Sequence, residues 1–196
     1  MRIGHALLIA LILGFSGPAG AEDVAAASPA APVEATPQNK LDGLFTELKR
    51  ERNEKAAERI AGRIWEEWGR SGSASIDLMM EWSKTAMDGR KFDVALDFLD
   101  QVVTMRPTYS EGWNRRATVH FMMNNFSKSM SDINQTLRLE PRHFGALAGM
   151  AEILKNGGKK ELALNAWQRV LDVYPMMRSA QTEVATISEE LAGEAI

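Results

Sequence analysis

From Leu41 onward, apolar side chains recur at three- and four-residue intervals, and no stretch alternates apolar with polar as a half-buried strand would. The pattern predicts an all-α chain. Pro107, Pro141 and Pro175 punctuate it at two equal intervals of 34 residues. Proline has no amide hydrogen and clashes with the turn before it, so each marks a helix boundary. Equal spacing makes it the same boundary of a repeated unit. Ala95, Ser129 and Ala163 are small at one phase, and Leu99, Ile133 and Trp167 are large four residues later. Met79, Trp113 and Leu147 share another phase, and Ser83, Ala117 and Ala151 supply a second small position. Phe92 and Phe126 agree, while Lys160 departs.

A 34-residue helix-turn-helix unit with this order of aromatic, small and terminal proline positions resembles the tetratricopeptide repeat. The repeats span 76–109, 110–143 and 144–177. The same phase runs backwards, because Phe45, Leu48, Ala61, Trp65 and Trp68 lie 34 residues before Met79, Trp82, Ala95, Leu99 and Val102. Residues 40–75 therefore read as a degenerate helix pair of the same kind. It departs at Lys49, where a small residue belongs, and at Ser73, where the proline belongs. Residues 178–196 form a capping helix and tail, with Glu189, Glu190 and Glu194 facing water. The resemblance implies a right-handed α-solenoid of antiparallel helix pairs. Small residues let the two axes of a pair approach, and stacked neighbours bury what one pair cannot. All five tryptophans, Trp65, Trp68, Trp82, Trp113 and Trp167, fall on packing phases of this scheme.

The first residues change the picture of where the chain resides. Met1-Arg2, the apolar run Ala6–Phe15, the breaker Gly17-Pro18 and Ala19-Gly20-Ala21 follow the order of a secretory signal peptide over 1–21. The run is shorter than the roughly 20 residues of a membrane span, and a signal retained as an anchor is the alternative. Residues 22–39 are rich in Ala and Pro and poor in large apolar side chains, as in a disordered linker. Loss of Arg2 takes the Lys and Arg count from 23 to 22 against 26 acids, a formal charge of −4. An acidic chain has no electrostatic reason to seek nucleic acid. Arg115-Arg116 and Lys159-Lys160 read as solvated helix ends. The chain has no cysteine, so its core alone holds it. A bacterial envelope compartment, the periplasm, fits best, and the chain resembles small exported tetratricopeptide proteins of alphaproteobacteria.

Catalysis requires a constellation of groups, and none is visible. The mature chain has two histidines, His120 where the repeat pattern has a tyrosine and His143 at a helix junction that it caps. There is no His-Glu-x-x-His, no Gly-x-Ser-x-Gly and no phosphate-binding glycine loop. The expectation is a protein without catalytic residues, metal or cofactor. Gly157-Gly158 reads as the turn between the helices of the third pair.

Family members bind ligands in the concave groove lined by the first helix of each pair. Carried onto this chain, the groove positions are Met80, Lys84 and Met87 in the first repeat. Asn114, Thr118, Phe121 and Met122 follow in the second, and Ala148 and Glu152 in the third. Asp77, Asp88, Glu111, Gly145, Lys155 and Asn156 flank them, with Arg50 reaching in from the degenerate pair. The apolar members Met80, Met87, Phe121 and Met122 either face a partner in the groove or pack against the neighbouring helix. Asn114 can pair with a ligand backbone. The family's carboxylate-gripping pattern fails, because Met80, Lys84, Gly145 and Gly149 stand where its Lys, Asn, Lys and Arg belong. The expected role is an adaptor that holds a protein or peptide of the envelope in this groove. The alternatives are a homo-oligomeric structural subunit and an accessory regulator of a cell-wall enzyme.

Overall fold

The computed structural model describes residues 37–194; the expected signal peptide and the expected linker up to residue 36 lie outside them. Among the described residues there are nine helices and no strand. They are α1 (Pro37–Arg50), α2 (Glu54–Trp68), α3 (Ala74–Asp88), α4 (Phe92–Met105), α5 (Ser110–Met122), α6 (Phe126–Leu139), α7 (Phe144–Asn156), α8 (Lys160–Val173) and α9 (Arg178–Glu194). Residues 37–39, expected in the linker, are helical. Proline is tolerated in a first turn because its missing N–H would have no intrahelical partner there.

The pairs α3–α4, α5–α6 and α7–α8 stack in chain order, and α9 packs on α8. Ser83, Ala95, Ala117, Ser129, Ala151 and Ala163 are all at most 2% exposed. The Ser129 hydroxyl donates to the Ala117 carbonyl at 2.8 Å across the second pair, a contact a larger side chain would block. The turns repeat as faithfully as the core. Arg90, Asn124 and Gly158, each 34 residues apart, have φ of 55°, 57° and 70°. The next amides, of Lys91, Asn125 and Lys159, donate back to Ala86, His120 and Leu154 and close each first helix. A left-handed residue after the last turn is what lets the chain reverse. Between pairs, Tyr109, His143 and Met177 donate to Arg106, Glu140 and Tyr174, with proline second in each turn.

The N-terminal hairpin departs from the expected stack. Its apolar residues Leu41, Leu44, Phe45, Leu48, Ile60, Ile64 and Trp68 share one buried cluster with Phe144, Leu147, Trp167, Tyr174 and Ile187 of α7–α9. The core of α3 and α4 is a separate cluster. The Asp42–Arg142 and Glu54–Arg178 ion pairs, at 2.7 and 2.6 Å, fasten the hairpin's rim. Its connection to α3 differs from the other links, with Ser73 where they have proline and Gly72 at φ 77°.

This placement corrects the reading of the tryptophans. Trp68 and Trp167 are buried, but Trp65 is 38% and Trp82 47% exposed. Trp113 is half-buried, its Nε1 donates to the Pro107 carbonyl, and the Arg116 guanidinium lies 4.8 Å from its ring centre. Arg115 and Arg116 are likewise not solvated helix ends. Arg116 donates two hydrogen bonds to Asp132 and one to Asp100, tying α5 to α6 and α4. Arg115 donates to Glu111 and to the Met80 carbonyl.

Candidate protein-binding groove

Five of the nine groove residues meet around one cavity of about 190 Å³. Asn114, Thr118 and Phe121 come from α5, and Ala148 and Glu152 from α7. The cavity exists because small residues line α7 on this side. Gly145 and Gly149, one helical turn apart, remove two side chains from the same face. Ala117, Ala146, Ser129 and Ile133 complete the walls. Sequence reasoning assigned Ala117, Ser129 and Ile133 to packing within the pair, where they are also buried. The Gly145-x-x-x-Gly149 spacing was the available signal for the cavity.

The other four lie elsewhere. Met80 is only 3% exposed and belongs to the core of α3 and α4, and Met87 packs against the same cluster. Met80 therefore packs inward, the second of the two outcomes open to it, and Met87 is half-buried beside it. An unbranched apolar side chain beside the α3–α4 crossing gains more from neighbouring carbon than from water. Lys84 is exposed and paired with Asp88 at 2.8 Å, a contact that raises its pKa. Met122 is 45% exposed and does not line the cavity. Arg50 lines an open depression along α1, away from this site. Lys155 pairs with Glu183 of α9 at 2.6 Å, and this hydrogen bond raises its pKa.

A buried polar network supports one wall. Glu111 is 4% exposed and accepts from Asn114 Nδ2 at 2.8 Å and from Arg115 Nη2 at 3.1 Å. Its Oε2 also lies 3.3 Å from His143 Nε2. His143 Nδ1 accepts from the Ala146 amide at 3.2 Å, capping α7. That acceptor role leaves the ring hydrogen on Nε2, directed at Glu111. The indole of Trp68 stacks on this imidazole at 3.9 Å and 5°, and Trp65 meets it edge-on at 5.4 Å. His143 thus joins α5, α7 and the hairpin. Asn114 keeps its amide pointed by donating to Glu111, which leaves its oxygen as the group to meet a ligand.

His120 is packed at 7% exposure, and its Nδ1 has no hydrogen-bond partner. Burial lowers its pKa below the ordinary 6.5, against the opposing pull of Asp132 and Asp100. Arg116 and Lys128 push the same way as burial. Among the described residues, no group of three or more His, Cys, Asp or Glu side chains is arranged to hold a metal ion. No described helix is long and apolar enough to cross a membrane. The site offers an apolar recess, an oriented amide, a hydroxyl and the Glu152 carboxylate, which are the means of binding a side chain.

No protein-family model matches the chain. A TPR repeat-containing protein of Rhizobium etli is 52% identical over 158 residues, spanning 81% of this chain and 78% of that one. Among solved structures, the first TPR domain of Spaghetti bound to an HSP90 peptide superposes with a TM-score of 0.58 at 24% identity, covering 61% of this chain and 95% of that domain. MamA superposes at 0.57 with 16% identity, covering 70% of this chain and 81% of that one. The structures speak to the fold, and the stacked pairs, the recurring turns and the Rhizobium relative speak together: the chain belongs to the tetratricopeptide-repeat (TPR) family.

Proposed function

We propose that the chain is a non-catalytic adaptor of the bacterial periplasm that holds a protein or peptide partner between α5 and α7, with a large apolar side chain of the partner in the cavity beside Gly145 and Gly149. The observation that carries this reading is the cavity itself, apolar in its depth and edged by Asn114, Thr118 and Glu152. A recess of about 190 Å³ has room for one leucine, methionine or phenylalanine side chain. The buried network holds Asn114 in one rotamer before the partner arrives, which lowers the ordering cost of binding. The export pattern at the N-terminus supports the compartment.

The test is selection of displayed peptides on the full chain, with a parallel selection on Gly149→Leu, whose side chain fills the recess. A Cβ at Gly149 meets only Ile133 Cδ1, at 3.4 Å, and far-ultraviolet circular dichroism checks that the variant keeps the fold. Peptides with a common large apolar residue, lost by about tenfold or more on Gly149→Leu and on Asn114→Arg/Phe121→Glu, are the expected result. Equal recovery on all three proteins would remove the groove from consideration. Osmotic-shock fractionation with N-terminal sequencing checks the compartment, the expected first residue being Glu22.

A further inference from the structure

The pair α3–α4 has a bare apolar side. Trp82 is 47% exposed, Leu78 48% and Val94 43%. The Trp82 ring lies 5.3 Å from that of Phe98, and a groove of about 600 Å³ runs along the two helices. α5 packs on the other side of this pair, so the bare side is where a preceding pair would stack. The hairpin α1–α2 has the pattern of that preceding pair, with Phe45, Leu48, Trp65 and Trp68 one period before Met79, Trp82, Leu99 and Val102. Yet it is seated on α7–α9.

We propose that the Trp82 side of α3–α4 is a second docking surface for this hairpin, which leaves α7–α9 and stacks there as a fourth repeat. The connection permits it. Residues 69–73 make a five-residue link, against four residues in the links that join stacked pairs, 106–109 and 140–143, and in the link to α9, 174–177. The observed seat also depends on a glycine. A Cβ at Gly145 would fall 2.6 Å from Trp65 Cη2 and 2.9 Å from its Cζ2, so a methyl group there would force the Trp65 ring out of its place against α7 and weaken this seat. Two apolar seats compete for one hairpin, and the population of each follows the difference between them, not the full burial of either. Gly145 borders the groove cavity, so relocation uncovers that end of the groove as it covers Trp82. A second copy of the chain is the weaker occupant. Head-to-tail stacking would need the far end of the array, which α9 covers. The relocation stands whatever the groove binds.

Because the chain has no cysteine, introduced pairs report on each seat without background. In the stacked pairs Arg115 Nη1 reaches the Met80 carbonyl at 3.1 Å. One period earlier these positions are Glu81 and Thr46, both exposed. Thr46→Cys/Glu81→Cys in the full chain, treated with a short bis-maleimide, is expected to give an intramolecular link in monomeric protein. Adding Gly145→Ala should speed that link about fivefold or more, because it weakens the competing seat. Asp42→Cys/Arg142→Cys reports the observed seat and should link more slowly with Gly145→Ala. Failure of the first pair to link while the second links, an unchanged rate with Gly145→Ala, or a link found only between two chains would each overturn the proposal.

Discussion

Glu111 and His143 are 32 residues apart in the chain and close the same buried network. Each would be costly alone, since a buried carboxylate or imidazole without partners loses its water for nothing. Together with Asn114, Arg115 and the Ala146 amide they satisfy one another. His120 lacks that provision, because its buried Nδ1 has no partner. Burial depresses its pKa in the fold, so as pH falls the unfolded chain takes up the proton first. Its contribution to stability is therefore complete above the ordinary 6.5 and is lost as pH falls below that value toward the folded pKa. Urea midpoints from about pH 7 to about pH 5 should decline less steeply for His120→Phe than for the natural chain, because only the natural ring titrates in that window. Identical slopes would mean that the ring is solvated in the fold. Asp132, Asp100, Arg116 and Lys128 face this ring.

At the scale of the element, the three left-handed turn positions form a natural comparison. Gly158 adopts φ 70° without penalty, Asn124 tolerates 57°, and Arg90 holds a full side chain at 55°. Arg90→Gly should raise stability by about 0.5–1 kcal/mol, and Gly158→Ala should lower it by a similar amount. Thermal unfolding reads both, and a destabilising Arg90→Gly would place the strain elsewhere. Helix packing separates the tryptophans in the same way. Trp167 is 3% exposed at the α7–α8 crossing, so Trp167→Ala should cost about 3–5 kcal/mol. Trp113 is only half-buried, and Trp113→Ala should cost less, about 1–3 kcal/mol. Equal losses in chemical denaturation would contradict this difference. A period in the sequence puts both residues on packing faces, but how much water each face retains depends on which element covers it.

For the whole molecule, the division into separate buried clusters predicts how it opens. α1 and α2 share their core with α7–α9, while α3 and α4 have another. Native-state hydrogen exchange should show α1 and α2 opening at the same free energy as α7–α9 and apart from α3–α4. Joint opening of α1–α2 with α3–α4 would instead mean that the stacked seat is the populated one. The 34-residue period, the small residues at the crossings and the prolines in the links were all legible before any coordinates, and they determined helices, turns and the order of stacking. These are local or nearest-neighbour properties, set by periodicity, side-chain size and backbone geometry within one repeat length. Five of the nine groove positions named from the repeat line the cavity between α5 and α7. Whether Met80 faced a partner or packed inward was left open, because a helix position identifies a side but not the depth of what packs against it. The seat of the hairpin, the bare Trp82 side and the cavity beside Gly145 and Gly149 were decided only by tertiary structure. Each depends on a competition between distant apolar surfaces for the same partner, and burial rewards whichever surfaces meet without reference to their separation along the chain.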